Sequence, residues 1–359
     1  MKGLKRSFRW PLIASLVLAV CCAVCLLLSR AAANKLDSQK AAERWQGESE
    51  RSFVQLSCFL PAGEELSMER LYSFRGELAK KLKDASYDVE NDRGLYTDAW
   101  SRSGTVKVSA GRRGGEVLAV AVGGRFFDFH PLRLVSGNYL SPDDLMKDRV
   151  LLDRETAWLL FGGSELSGMS FAINGQPFVV AGVYEHADDR FSRRADGEGM
   201  CVYMSYEAFT GLFPEQTGVS CYELVMAEPV KGFSRTAAEE KFPVKRAEIL
   251  ENTYRFEPGR LLRLVKNSAE RSMRKSASLY PSWENAARAA EDQAAWLLAA
   301  GLACGLVPAA LLIYALIRFL AGGKTKLEEE VLPRARDRVE EAWRVRARKR
   351  WEKKHPDMK

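Results

Sequence analysis

Hydrophobic and polar residues alternate along this chain on two length scales. On the coarse scale two runs stand out. Residues 12–28 (LIASLVLAVCCAVCLLL) carry no charge and one hydroxyl, and residues 294–317 (AAWLLAAGLACGLVPAALLIYALI) carry no charge at all. A helix built from either would be apolar on every side, which excludes a purely cytosolic globular protein. A bilayer core takes about 20 apolar residues of helix, so the second run spans it with room for tilt. The first sits at the lower end of the range and is expected to be an uncleaved anchor. A cleaved signal peptide is the alternative, because Ser29-Arg30-Ala31-Ala32-Ala33 offers small residues for cleavage, although the apolar run exceeds the usual ~7–15 residues of a signal core. Under both readings the residues that follow lie outside the cytoplasm.

Between the runs the periods are those of short strands and helices. Residues 34–51 are polar and expected to extend the first helix. Residues 53–60 (FVQLSCFL) predict a strand closed by Pro61-Ala62-Gly63. Ser67 is placed to cap a helix in which Leu71, Phe74, Leu78 and Leu82 recur at helical spacing. Strands are expected near 105–108 and at 117–122, the second buried on both faces. A more irregular portion holds Phe126, Phe127 and Phe129. Residues 149–152 then form a short strand, and Asp153 caps a helix over 154–161 that stops at Gly162-Gly163. Phe171-Ala172-Ile173, Asn174-Gly175 and Phe178-Val179-Val180 spell a hairpin with an Asn-Gly turn. The charged stretch 186–199 (HADDRFSRRADGEG) reads as an exposed, mobile or partner-contacting loop. Strand character returns at 201–205 and 222–226, and residues 234–241 look helical. From 260 the text is basic and amphipathic, breaks at Pro281, and enters the second apolar run as a stalk, with Trp283 and Trp296 as candidate interfacial anchors. The fold class expected is α+β, with mixed strand–helix units between two membrane helices.

Charge adds a topology. The chain has 359 residues and a formal charge of +7. Its first ten residues hold Lys2, Lys5, Arg6 and Arg9 without an acid, and residues 318–359 hold fourteen basic and eight acidic side chains, leaving the middle at −3. Basic ends belong in the cytoplasm and the mildly acidic middle outside; the basic pI is therefore a topology signal and not one for nucleic acid. The expected divisions are a cytoplasmic start (1–11), a first span (12–28), an external domain (34–259), a stalk (260–293), a second span (294–317) and a cytoplasmic tail (318–359). The tail, with Trp343 and Trp351, reads equally as a helix on anionic headgroups or a cytoplasmic partner and as a solvated, salt-bridged helix.

Candidate chemistry changes the picture little. Cys21, Cys22, Cys25 and Cys304 lie in the apolar runs, while Cys58, Cys201 and Cys221 lie between them. In an oxidising exterior Cys201 and Cys221, opening neighbouring strand-like runs, make a candidate disulfide; two buried thiols are the other reading. No Cys-x-x-Cys, His-Glu-x-x-His or Gly-x-Ser-x-Gly pattern occurs. Gly322-Gly323-Lys324-Thr325 follows an apolar helix instead of a strand and lacks the leading glycine of a phosphate loop. Asp143-Asp144 and Asp188-Asp189 read as solvated carboxylates, and His130 as packed among phenylalanines. No catalytic, cofactor or metal residues are expected, and no enzyme.

One ordered set of short motifs carries a resemblance. Val122-Gly123-Gly124-Arg125-Phe126-Phe127 precedes Leu134-Val135-Ser136-Gly137-Asn138-Tyr139-Leu140. Arg149-Val150-Leu151-Leu152-Asp153 and Ala157-Trp158-Leu159-Leu160-Phe161-Gly162 follow, and then the hairpin from Phe171 through Asn174-Gly175 to Gly182-Val183. This order resembles the extracytoplasmic core domain of the MacB-type family of ABC transporter permeases, clearly over 123–185 and more weakly from 53 to the second span. The residues read as structural: Phe126 and Phe127 as core anchors, with Leu160, Phe161, Asn174, Gly175 and Val183 beside them, and Gly124, Gly162, Gly168 and Gly182 at turns or close approaches. The resemblance implies a domain that moves with ATP hydrolysis by a separate or fused ATPase and carries that work outward. It implies a lipid bilayer, an ABC ATPase and a full-length permease subunit as partners, in a homo- or hetero-oligomer. Family permeases place three further helices after the external domain, whereas one is legible here. The chain is thus expected to be an accessory, permease-like subunit, or else an anchored binding or sensing module that works without an ATPase.

Overall fold

The computed structural model describes residues 9–89, 93–141, 143–196, 199–267, 280–326 and 332–354. The chain divides into two units, Leu27–Ala299 and the combination of Met1–Leu26 with Ala300–Lys359. Among the described residues two helices are long and apolar enough to cross a membrane, over Ile13–Ala32 and Ser282–Ala321.

The first helix, α1 (Arg9–Ala33), does not continue into the polar segment after it. A single turn at Asp37–Gln39 leads to the short helix α2 (Ala41–Gln46) instead. The cause is Gln55, fully buried on strand β1 (Phe53–Phe59). Its side chain accepts from the Ala41 amide at 3.0 Å and donates to the Ser38 carbonyl at 2.8 Å, folding the segment back onto the sheet. A continuous helical extension, the expectation from composition, is corrected accordingly. Helix α3 (Met68–Asp84) starts where its cap predicts, with Ser67 accepting from the Arg70 amide, and buries Leu71, Phe74, Leu78 and Leu82.

Strands β2 (Tyr96–Ala110) and β3 (Arg113–Gly124) form a long antiparallel hairpin. The upstream half of β2 was not legible because Tyr96 to Ser101 pair with a strand more than a hundred residues later. On β3, Ala119 to Val122 are buried as expected, but Leu118 faces solvent. The aromatic run forms one helical turn, α4 (Phe126–Phe129), with Phe126 and Phe129 inside. Strand β4 (Arg133–Gly137) is followed by β5 (Arg149–Asp153) and α5 (Arg154–Leu160), capped by Asp153 through the Thr156 amide at 2.8 Å. Strands β6 (Ser170–Ile173) and β7 (Gln176–Glu185) make the Asn-Gly hairpin.

The charged stretch after β7 holds a helix, α6 (Arg190–Asp196), and its Phe191 is buried. The expectation of a wholly exposed loop fails because one aromatic among many charges suffices to dock it. Strand β8 (Cys201–Ser205) leads to α7 (Tyr206–Leu212), β9 (Cys221–Ala227), α8 (Phe233–Lys241) and β10 (Glu248–Glu251). Helix α9 (Pro258–Lys266) precedes α10 (Ser282–Lys326), which begins directly after Pro281, and α11 (Leu332–Lys354).

Among the described residues all ten strands share one mixed sheet, ordered β10-β1-β9-β2-β3-β8-β5-β7-β4, with β6 bridging β2 and β7. Most neighbours are antiparallel; β3 with β8 and β5 with β7 are parallel. All seven residues of β1 and of β9 are buried, so both faces of that part of the sheet are covered. This is the α+β class expected. In the other unit the close approaches lie at two glycines one turn apart on α10. A Cβ at Gly301 would meet Cys25 at 3.2 Å, and one at Gly305 would meet the Cys22 sulfur at 3.2 Å. Small residues four apart let membrane helices pack backbone to backbone.

Candidate functional site

The strongest concentration of buried polar chemistry lies where the start of α10 meets the sheet, within the Leu27–Ala299 unit. Its hub is Arg255, on the turn between β10 and α9. The guanidinium makes a two-pronged bond to Glu284, 2.7 Å on each prong, and donates Nε to Glu291 at 2.8 Å and Nη1 to the Gln39 side chain at 3.3 Å. Arg255 is 5 % exposed, Glu284 1 % and Glu291 7 %. Burial alone would lower the Arg255 pKa; Glu284 and Glu291 outweigh it and hold the group above its ordinary value. Glu284 also accepts from Arg288 at 2.7 Å, and Arg288 reaches Glu248 on β10 at 2.8 Å while lying 3.8 Å over the Tyr280 ring. Tyr280 closes the circuit by donating its hydroxyl to Glu248.

Two apolar contacts flank this network. On one side Ala286, Ala287, Ala290, Ala294 and Ala295 form a small-residue face, buried with Ala32, Leu36, Leu261, Leu298 and Phe191. The Ser29 hydroxyl donates to the Ala294 carbonyl across it at 2.8 Å. On the other side Trp283 lies over His130, ring centres 4.4 Å apart, and edge-on to Phe126 at 5.4 Å. His130 is paired with Glu223. Glu223 also accepts from Ser57 at 2.9 Å, and Ser57 from Asn252 at 2.7 Å. Trp283 is therefore half-buried against the domain core and not an interfacial anchor; Trp296, thirteen residues on, is 58 % exposed.

The expected site residues are distributed otherwise. Cys201 and Cys221 are both buried and free. Their strands are separated by β2 and β3. Three strand spacings come to about 14 Å, twice the span a disulfide bridges. The candidate disulfide is corrected: strands adjacent in sequence order are not adjacent in the sheet. Burial, reinforced by the Glu223 charge, pushes the Cys58 and Cys221 thiols up. Of the motif residues, Phe126 reaches the joint and Phe127 stacks on Tyr139 at 4.9 Å. Leu160 and Val183 are core residues, and Phe161 packs edge-on to Phe171 at 6.5 Å. Gly124 ends β3, Gly162 follows α5, and Gly168 precedes β6. Asn174 and Gly175 adopt φ of 49° and 84° at the hairpin turn, and Asn174 binds both main-chain groups of Lys107 at 2.8 and 2.9 Å. A Cβ at Gly182 would sit 2.5 Å from the Ser136 carbonyl, so β4 and β7 approach too closely for any other residue.

The acidic pairs serve turns. Asp189 caps α6 through the Phe191 and Ser192 amides, and Asp144 faces Arg149 at 3.7 Å. A cleft of about 310 Å³ is bordered by Arg44, Trp45, Arg125 and Asp128. Its charges are taken up locally: Arg125 pairs with Asp128 at 2.6 Å and Arg44 donates to the Asp128 carbonyl at 2.8 Å. Sequence reasoning missed the Arg255 hub altogether. The usable signal was the spacing of Glu284, Arg288 and Glu291 ahead of an apolar run, which places all three along one side of a helix.

Comparison with known proteins agrees with this architecture. The family model of the MacB-like periplasmic core domain matches residues 18–243. Among solved structures, the periplasmic region of MacB from Actinobacillus actinomycetemcomitans is similar at 16 % identity and a TM-score of 0.41, over 61 % of this chain and 94 % of that one. The extracellular domain of the noncanonic ABC-type transporter YknZ from Gram-positive bacteria is similar at 13 % identity and a TM-score of 0.38, over 55 % of this chain and 100 % of that one. At such identities and scores the assignment rests on the family model. No curated protein matches the sequence.

Proposed function

The chain belongs to the MacB-like periplasmic core domain family, and from that premise we propose that it is a non-catalytic, permease-like subunit of an ABC-type membrane system. In this reading residues 12–28 and 294–317 cross the membrane, both basic ends lie in the cytoplasm, and the sheet domain lies outside. The division into domain (34–259), stalk (260–293) and tail (318–359) belongs to the same proposal. Conformational change passes between membrane and domain through the first turns of α10.

The observation that carries the reading is the bond of one buried guanidinium to Glu284 and Glu291. Seven residues of helix rise about 10 Å. A helix held at two levels by a single rigid fork cannot slide, turn or tilt without either moving Arg255 or stripping partners from buried charges. Breaking such a pair is costly, so motion of the helix is transmitted to β10 and α9.

Affinity capture of the intact protein after gentle solubilisation, read by mass spectrometry, tests the proposal. Recovery of an ABC ATPase together with a multi-span permease is the expected outcome. Recovery of neither, with ligand or partner binding retained by the captured protein, would replace the transmission reading with an anchored binding module.

A further inference from the structure

Three side chains of types that can ligate a metal meet at a corner that the Arg255 joint does not use. Asp153 ends β5, Glu155 stands in the first turn of α5, and His186 follows β7. Because β5 and β7 run parallel, with Asp153 in register with Tyr184, the chain brings His186 beside Asp153 from more than thirty residues away. The His186 Nε2 lies 3.3 Å from Asp153 Oδ2 and 3.9 Å from Glu155 Oε2, and all three ligand atoms fall within 4.8 Å of one another.

We propose that Asp153, Glu155 and His186 form a site for a divalent transition-metal cation of the zinc type. Geometry is the first argument. Zinc bonds of about 2.0–2.1 Å in a tetrahedron hold ligand atoms about 3.3–3.4 Å apart. The Asp153–His186 separation already has that value. Glu155 needs to close by about half an ångström on His186, and its side chain, 62 % exposed, is free to do so. Chemistry is the second. Two carboxylates and an imidazole present two negative charges to a dication, and a three-ligand set leaves a position for water. Among the described residues neither carboxylate has a lysine or arginine partner; the neighbouring Arg154 turns to Glu185 at 2.6 Å.

Burial is the third. The Asp153 side chain is fully buried, and one oxygen is held rigid by capping α5 through the Thr156 amide. Its other oxygen is hydrogen-bonded to His186 Nε2 at 3.3 Å. The Thr156 hydroxyl is fully buried on the same capping turn and has no hydrogen-bond partner. Side chains on a helix lean towards its N-terminus, which for α5 is the Asp153 end. A buried hydroxyl left without a partner is costly unless something else binds there. A cation supplies it. Its structural effect would be to pin the start of the 186–196 segment, which carries the buried Phe191, to the β5–α5 corner. None of this depends on the transmission reading.

The full-length protein in detergent, stripped with chelator, is to be titrated with zinc against a chromophoric chelator and, separately, with cobalt(II). The expected result is one zinc equivalent whose affinity falls at least about tenfold in His186→Ala and also falls in Glu155→Gln, with visible cobalt bands and no thiolate charge-transfer absorption. Neither variant touches the α5 cap, and unchanged far-ultraviolet circular dichroism without metal shows each is folded. Zinc binding equal in wild type and His186→Ala, no stoichiometric zinc at all, or a cobalt–thiolate band that places the metal on cysteine would each overturn the site.

Discussion

Two arginines hold helices to the same sheet, and they do so under opposite conditions. Arg75 on α3 makes a two-pronged bond to Asp98 on β2, 2.6 Å on each prong, with Tyr222 donating to Asp98 at 2.8 Å and Trp100 beneath the guanidinium at 5.0 Å. Yet α3 is already held by Leu71, Phe74, Leu78 and Leu82. Buried side chains of that size contribute about 1.5–3 kcal/mol each. The start of α10 offers the core mostly alanines, which contribute roughly 0.8 kcal/mol per buried methyl-sized group. At α3 the ion pair adds to an apolar grip. At α10 the apolar grip is thin and the buried charges decide where the helix sits.

Arginine removal should separate the two most sharply. Arg255→Ala takes the shared guanidinium from buried Glu284, which keeps Arg288, and from buried Glu291, and a loss of about 3–5 kcal/mol is expected. Chemical denaturation of the solubilised protein would measure it, and hydrogen exchange should place the early loss at residues 282–299. At α3 the larger effect should come from the apolar side: Leu78→Ala is expected to cost about 2–4 kcal/mol, with exchange rising across 68–84. Arg75→Ala should cost less, about 1–2 kcal/mol, because Asp98 keeps the Tyr222 hydroxyl and part of the arginine is exposed. An Arg75→Ala loss equal to that of Arg255→Ala would erase the contrast.

Glu228 sharpens the comparison as a buried carboxylate with no arginine partner among the described residues. Burial raises its pKa, with amide bonds from Gly232 and Phe233 offsetting only part of the effect. A raised folded-state pKa makes the charged form a liability above it, and the liability vanishes as pH falls to the ordinary glutamate range. Glu228→Gln should therefore be the more stable protein at neutral pH by less than ~1 kcal/mol, with the advantage closing on acidification. Paired denaturation curves at pH 7 and pH 4.5 would measure it. The smallest expected effect is one of reactivity: Cys58 and Cys221, their thiols pushed up by burial, should resist maleimide in the native protein and label on unfolding. Rapid native labelling at either would contradict their burial.

Much of the fold was legible because its signals are local. The Ser67 and Asp153 caps, the Asn174-Gly175 turn and the 3.6-residue spacing of Leu71, Phe74, Leu78 and Leu82 each require a few neighbouring residues and nothing remote. The joint was not legible for the opposite reason. Arg255 looks like any surface arginine until Glu284 and Glu291, twenty-nine and thirty-six residues later, enclose it. His186 and Asp153 meet only because β5 and β7 run parallel.

The amino-acid order by itself determined the two apolar helices, the capped elements between them and the family to which the chain belongs, since period, turn chemistry and motif order survive without tertiary contacts. Strand order was decided only by the assembled sheet, and with it the separation of Cys201 from Cys221, the burial of Phe191 and the enclosure of Arg255. Pairing across a sheet is a competition among all strands for hydrogen bonds and buried area, and no local stretch of sequence contains its outcome.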